Sequence, residues 1–295
     1  MTVVYRLLIL LVCLMTFGHL TASALRGGNP YERLHVVGNS KDRFMQFYEE
    51  GMKQGYFFYE ELTKLLVPQF KGIAYGAGGA GCPGDKTLVN FNSFDCVTFV
   101  ETWWALSRTL YDFQSGRAPK KAEPFLVFTK NLDRIRYFGG ENCGIGYRIH
   151  YFTQQMEELE RAGFVFNVGM ANGFPFKEKI NYITQNADKY GDVATSAQQK
   201  AYETILSSTP RFYYPTKHRT SYYPLAKDGD LIAFASTEPG LDVSHCGLIS
   251  LVDGRPKLNH ASEKYNYVVI GQDLDAYLIG RTKVDGFFVY RPRFD

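Results

Sequence analysis

Between residues 40 and 66 apolar side chains return every three or four positions: Phe44, Phe47, Tyr48, Met52, Tyr56, Tyr59, Leu62 and Leu66. That spacing lays them on one face of a helix. Gly51 and Gly55 interrupt the run and predict two helices, and Pro68 closes it. A Gly-rich loop follows over 72–84. The stretch 95–110 predicts another helix, with Asp95 as N-cap and Phe99, Val100, Trp103, Leu106 and Leu110 as its buried stripe. Over 111–223 the signal is mixed, with helices expected at 154–162 and 197–206. The period then changes. Short β-prone runs at 230–235, 243–252, 257–261, 267–270 and 287–290 are separated by turn residues, and Asp253-Gly254 is a hairpin signal. Helices first and strands later predict an α+β fold, with N-terminal helices packed on an antiparallel sheet over about 229–292 and a long insertion, about 111–223, between the 95–110 helix and that sheet. Repeats and linkers are absent from the sequence, so 25–295 is expected to form a single catalytic domain.

The chain has 295 residues, 45% apolar and 21% charged, enough to bury a sizeable core. This excludes a disordered acceptor, a collagen and a coiled coil. Basic and acidic residues number 33 and 30, which leaves no electrostatic footprint for nucleic acid. Arg6, an apolar run over 7–15 and then Ala22-Ser23-Ala24 have the order of a secretory signal peptide. Residues 1–24 are therefore expected to be a signal peptide, and the mature chain an exported, periplasmic or secreted protein without a membrane anchor. The competing readings are an uncleaved anchor, although the run is short for a bilayer span, and a lipoprotein at Cys13, which Val12 disfavours. Export makes Cys82, Cys96, Cys143 and Cys246 informative. Four cysteines are too sparse for a stapled mini-fold and leave room for a working thiol. Cys82 and Cys143 both sit in Gly-rich loops and are candidates for a bridge.

Cys96 falls in the first turn of the 95–110 helix. Unpaired N–H groups and the positive end of the helix dipole favour its thiolate there. A small buried hydrophobe is the plain alternative. A thiol nucleophile needs a base within reach. In the 243–252 strand, alternation puts His245 on one face with Val243, Gly247 and Ile249, and Cys246 on the other. Gly247 is expected to leave open space beside the histidine. If Asp253 and Gly254 alone form the loop, His245 stands opposite Ser262, and His260 lies diagonal to His245 on the same face. An odd loop length would break that pairing. The resulting triad has Cys96 as nucleophile, His245 as base and His260 as orienting group. A zinc site built from the two histidines and a cysteine competes with it, weakened because His245 and Cys246 point opposite ways.

These residues resemble a known family. Gly72-Ile73-Ala74-Tyr75-Gly76-Ala77-Gly78-Gly79, Asp95-Cys96, Gly229-Asp230-Leu231-Ile232-Ala233-Phe234, His245-Cys246-Gly247 and His260 occur in the order of the NlpC-type cell-wall hydrolases of the papain-like superfamily. Phe94-Asp95-Cys96-Val97-Thr98-Phe99-Val100-Glu101, Arg136-Tyr137, Arg148-Ile149-His150-Tyr151 and Gly240-Leu241-Asp242-Val243-Ser244-His245 are similar to the N-acetylmuramoyl-L-alanine amidase-like branch. The resemblance implies a papain-like fold and an amidase that cuts between the muramoyl lactyl group and L-Ala of muropeptides, anhydro-muropeptides of wall recycling among them. It implies catalytic roles for Cys96, His245 and His260, with Tyr75 beside the nucleophile at the oxyanion site, and no cofactor or metal. The gap from Cys96 to His245 is longer than in compact members, so the insertion is expected to shape the groove.

Stem peptides carry carboxylates, which arginine binds bidentately. Arg136, Arg148 and His150 are the substrate-binding candidates, with Tyr137 and Tyr151 flanking a sugar; a solvated basic face around Arg134 and Arg136 is the alternative. The rival functions are a γ-D-glutamyl-L-diamino acid endopeptidase, a non-catalytic wall-binding module, and a secreted enzyme aimed at foreign targets.

Overall fold

The computed structural model describes residues 29–55, 58–76, 86–142, 144 and 147–294. The expected signal peptide, most of the Gly-rich loop, and Cys82 and Cys143 with their candidate bridge lie outside the described residues.

Strand β1 (Leu34–Val36) leads into helices α1 (Ser40–Gln54) and α2 (Tyr59–Leu66). Of the two glycines expected to divide this run, only Gly55 does so, as a left-handed C-cap with φ 67°. Gly51 stays inside α1. A Cβ there would meet Leu110 Cδ1 at 2.6 Å, so the missing side chain lets the helices close on each other. Three short strands follow, β2 (Ala74–Tyr75), β3 (Thr87–Val89) and β4 (Ser93–Phe94), and then α3 (Cys96–Gln114). Its start is a reciprocal cap: Asp95 Oδ1 accepts from the Thr98 N–H at 2.7 Å, and Thr98 Oγ1 accepts from the Asp95 N–H at 2.9 Å. The predicted stripe Phe99, Val100, Trp103, Leu106 and Leu110 is fully buried. Each such side chain removed from water contributes about 1.5–3 kcal/mol, which fixes the helix start where it is.

The insertion folds as α4 (Pro124–Arg136), α5 (Phe152–Arg161), β5 (Val165–Asn167), β6 (Phe174–Phe176), a run of short helical turns, α6 (Ala197–Ser208) and β7 (Arg211–Pro215). The last third follows its prediction closely: β8 (Leu231–Ser236), β9 (Val243–Val252), β10 (Arg255–Ser262), β11 (Tyr267–Asp273), the short helix α7 (Leu274–Leu278) and β12 (Val284–Pro292).

The main sheet runs β4-β2-β11-β10-β9-β8-β12-β7-β6, with β5 also paired to β12. The fold is α+β, with two departures from expectation. The sheet is mixed, because β2 and β4 run parallel at its edge, and β1 and β3 form a separate parallel pair. The insertion is also no mere appendage, since β5, β6 and β7 extend the same sheet. Alternate residues of β8 face two cores. Leu231, Ala233 and Ala235 join the helix-side cluster with Trp103, while Ile232 and Phe234 join a second cluster with Tyr277 and Phe287. Among the described residues no helix is long and apolar enough to cross a membrane.

Candidate active site

Cys96 is the first residue of α3 and is half-buried. Its sulfur accepts a hydrogen bond from the Cys246 thiol and meets the His245 imidazole. The Cys246 bond does most to hold the Cys96 thiol well below its ordinary range, the His245 charge adds to it, and burial works against both. The N–H groups at the start of α3 act in the same sense. Cys246 is wholly buried, and burial with the neighbouring Cys96 charge pushes its thiol well up, so it stays protonated as the donor. Neither cysteine is in a disulfide.

His245 keeps the face that alternation gives it, shared with Gly247 and Ile249, and a bulge lies just before it. The β8–β9 register runs Phe234↔His245 and then Ala235↔Val243, which leaves Ser244 as an extra residue. Such an insertion re-aims an adjoining side chain, here Val243. It separates Val243 from the histidine it was expected to accompany: Val243 packs on the helix-side core, while the His245 ring stacks against Phe234 and Tyr277. Gly247 also differs from expectation, for it leaves no void. A Cβ there would meet Asn259 O at 2.5 Å and His260 Cβ at 3.1 Å, so the glycine lets β10 and its histidine come close. Gly247→Ala is expected to displace His260 and lower kcat on the order of 10²-fold in a folded protein. Wild-type turnover with an unchanged circular dichroism spectrum would show that the approach is immaterial.

The two-residue loop holds, with Val252 opposite Arg255 and left-handed Asp253 and Gly254 between them. The diagonal pairing holds too: His245 Nε2 and His260 Nδ1 are 2.6 Å apart. On its far side His260 Nε2 lies 2.8 Å from Gln272 Oε1. Burial, and then the His245 charge, lower the His260 pKa to about 3, against a weaker opposing pull from Gln272. His260 is therefore neutral near pH 7. Its linkage to folding has a definite sign. The unfolded chain takes up this proton near 6.5, whereas the folded chain refuses it until about 3. Stability from His260 is thus full above 6.5 and drains away as pH falls toward 3. Urea midpoints measured across that window should fall steeply for the wild type and more gently for His260→Asn.

Tyr75 pairs with Phe94 in the parallel β2–β4 register, one residue before Asp95. Burial, helped by the Cys96 charge, pushes its hydroxyl up to about 12, so it stays a proton donor. The structure thus brings Cys96, His245, His260 and Tyr75 together.

It does not bring the expected substrate-binding set there. Arg136 and Arg148 are buried and both point at Glu101, with Arg136 Nε at 2.6 Å and Arg148 Nη2 at 2.8 Å. Guanidiniums committed to a buried carboxylate are not available to a stem peptide. Tyr151 is buried with its hydroxyl donating to Glu203 at 2.8 Å, and Tyr137 is buried beside Arg148. Neither offers a face to a sugar. His150 is half-buried, edge-on to Tyr190. Three neighbours went unread in the sequence: Cys246 as donor to Cys96, Gln272 behind His260, and Tyr277, whose ring touches both histidines. Among the described residues no three His, Cys, Asp or Glu side chains converge to hold a metal ion.

A thiol at a helix start, backed by two imidazoles from a hairpin on an α+β scaffold, is a hydrolase-like arrangement, and comparison with known proteins agrees with that class. The chain belongs to the N-acetylmuramoyl-L-alanine amidase-like (AmiA-like) family, whose model matches residues 67–284. It is similar to the crystal structure of an N-acetylmuramoyl-L-alanine amidase from Bacteroides uniformis, at 28% identity and TM-score 0.67, with 84% of this chain and 99% of that one covered. A Bacteroides fragilis structure carrying a provisional xylanase label is 31% identical at TM-score 0.65, covering 76% and 98%. A Legionella pneumophila protein shares the fold at TM-score 0.59 and 16% identity, covering 85% and 95%. No curated protein matches.

Proposed function

We propose that the protein is an exported cysteine amidase that cleaves the bond between the muramoyl lactyl group and L-alanine in muropeptides, anhydro-muropeptides included. One observation carries this reading: the Cys96 sulfur, at a helix start, lies against His245, which is itself tied to His260 at 2.6 Å. The Cys96 thiolate attacks the amide carbonyl, and the oxyanion is held by N–H groups of the α3 start and the Tyr75 hydroxyl. The C–N bond then breaks as His245 delivers its proton to the leaving L-alanine amine. Water, deprotonated by His245, hydrolyses the thioester and restores the thiolate. With Arg136 and Arg148 occupied elsewhere, we place the substrate along the shallow groove beside β11, lined by Tyr265, Tyr267, Val269, Ile270, Gly271 and Gln272. The groove adjoins the site through β2, since the Tyr75 N–H donates to Asn266 O at 2.8 Å. Tyr265 and Tyr267, both exposed, offer ring faces to a sugar.

The same thiol and imidazoles would serve a γ-D-glutamyl-L-diamino acid endopeptidase. Mass spectrometry of digests of defined muropeptides, with and without the anhydro sugar, separates the two. Release of a stem peptide beginning with L-Ala supports the amidase, while L-Ala-γ-D-Glu, free or still on the sugar, overturns the assigned bond. A xylanase would use a pair of carboxylates, whereas the groups meeting at Cys96 are a thiol and imidazoles; we expect no reducing sugar from xylan.

A further inference from the structure

We infer that Gln272 is a positioning residue of this site: through His260 it fixes which nitrogen of His245 faces the Cys96 thiol. The inference rests on the cysteine-amidase reading, and follows from counting protons along one line of atoms. The amide oxygen of Gln272 can only accept, so the His260 nitrogen 2.8 Å away, Nε2, carries a hydrogen. A neutral imidazole with Nε2–H has its lone pair on Nδ1, and that nitrogen lies 2.6 Å from His245 Nε2. His245 must then donate from Nε2. When neutral it keeps Nδ1 as a base for the Cys96 proton, and when charged it presents Nδ1–H to the thiolate.

The backbone holds Gln272 for this task. Between Leu258 and His260 the β10–β11 register slips by one residue, and Gly271 takes a φ of 78°. The Gly271 N–H donates to Asn259 Oδ1 at 2.9 Å, and the Asn259 amide is anchored in turn on Leu248 O at 3.2 Å and Ser250 Oγ at 3.0 Å. Paired in regular register, Gln272 would stand one residue away from its place beside His260. A second bulge thus flanks the histidine pair, opposite the one at Ser244.

Other titratable groups around the line are few. His260 faces His245 and Tyr277, with Arg281 over the Tyr277 ring at 4.2 Å and near enough for its charge to act on His260. Cys96 faces His245 and Cys246, with Tyr75, Asp95 and Tyr277 close enough to feel its charge. Among these, Gln272 is the partner of His260 Nε2 and sets its hydrogen.

The test is the pH profile of Cys96 alkylation by iodoacetamide on the full chain, read by peptide mass spectrometry with Cys96→Ala as blank, beside kcat and KM on a muropeptide. Gln272→Leu removes the acceptor. His260 is then free to take its Nδ1–H form, which turns a donor against His245 Nε2 and opposes the thiolate–imidazolium pair. The alkylation profile should move to higher pH and kcat should fall about 10–10²-fold, a larger change than any in KM, which can move because Gln272 also borders the groove; losing a directly orienting partner of the base costs about 10⁴-fold. Gln272→Glu keeps an acceptor and should rescue both readouts. A Gln272→Leu protein with the wild-type profile and kcat overturns the inference. So does a Glu variant as impaired as Leu, since that marks a merely structural site. Alkylation needs no amide substrate, so failure of the wild type to cleave muropeptides would sink the proposed function while leaving this measurement decisive.

Discussion

Cys96→Ala should abolish amide hydrolysis, lowering kcat on a muropeptide by about 10⁴-fold or more while leaving the fold intact. Loss of a covalent nucleophile removes the whole two-step route, and knock-outs of such units elsewhere cost on the order of 10⁶-fold. Folding should tolerate the change. Cys96 is half-buried rather than sealed in the core, and the cap of α3 is made by Asp95 and Thr98 without the sulfur. The variant should still bind substrate, since no binding contact proposed above involves the thiol. Release of stem peptide by mass spectrometry reads the activity, and a thermal melt reads the fold. Cys96→Ser is the sharper companion: it keeps shape and hydrogen bonding but not the low pKa, and should be nearly as inactive. If Cys96→Ala hydrolyses at the wild-type rate, both the cysteine mechanism and the role of His245 as its base fail together. If it neither hydrolyses nor melts cooperatively, Cys96→Ser decides between lost chemistry and lost fold. A wall-binding module would give a third pattern, with no hydrolysis by the wild type and unchanged binding by either variant.

How much of this was legible in the sequence depends on how local the determining contacts are. The β9–β10 hairpin was readable because Asp253-Gly254 sets the loop length, and loop length sets register. From that alone His245 and His260 meet, as they do at 2.6 Å. Cys96 was readable because its cap lies within four residues of it. The bulges at Ser244 and Gly271 were not, because each arises from the pairing of two strands and neither has a turn signature of its own. Gln272 escaped with the second of them. Helix α4 carries a periodic stripe, Phe125, Phe128, Leu132 and Ile135, behind an N-terminal Pro124, but it sits in an insertion whose neighbouring runs are short and whose period keeps changing. Cys246 does lie on the face opposite His245, as alternation requires, and joins the helix-side core; that this face meets Cys96 is a contact between distant segments, which alternation does not reveal.

The largest misreading concerned charge, and it leads to the largest expected effect on stability. Standing beside tyrosines, Arg136 and Arg148 read in the sequence as substrate clamps, yet a buried arginine needs a buried acid, and the acid lies in a different element. Glu101 is fully enclosed in α3 and receives Arg136 Nε at 2.6 Å, Arg148 Nη2 at 2.8 Å and Gln155 Nε2 at 2.7 Å. Burial opposes its ionisation, but Arg148 and Arg136 outweigh burial and hold its carboxyl below the ordinary range. Arg136 also donates from Nη1 to Leu88 O at 2.6 Å, so one side chain ties α4 to α3 and β3. Removing Arg136 leaves Glu101 with Arg148 and Gln155 but takes the donor from Glu101 Oε2 and from Leu88 O in a buried place. Arg136→Ala is therefore expected to destabilise the protein by about 3–5 kcal/mol, measured as the shift in urea unfolding. The double variant Glu101→Met with Arg136→Met should recover part of that loss, because the desolvation cost disappears with the charges, although Arg148 is still left unpaired. A substrate clamp predicts the reverse: KM should rise strongly in Arg136→Ala while the urea midpoint stays where it was. Since Glu101 is in the same helix that begins with Cys96, the network bears on catalysis only through the placement of that helix. The folded fraction of Arg136→Ala, kept cold or in stabilising salt, should accordingly turn over with near wild-type KM.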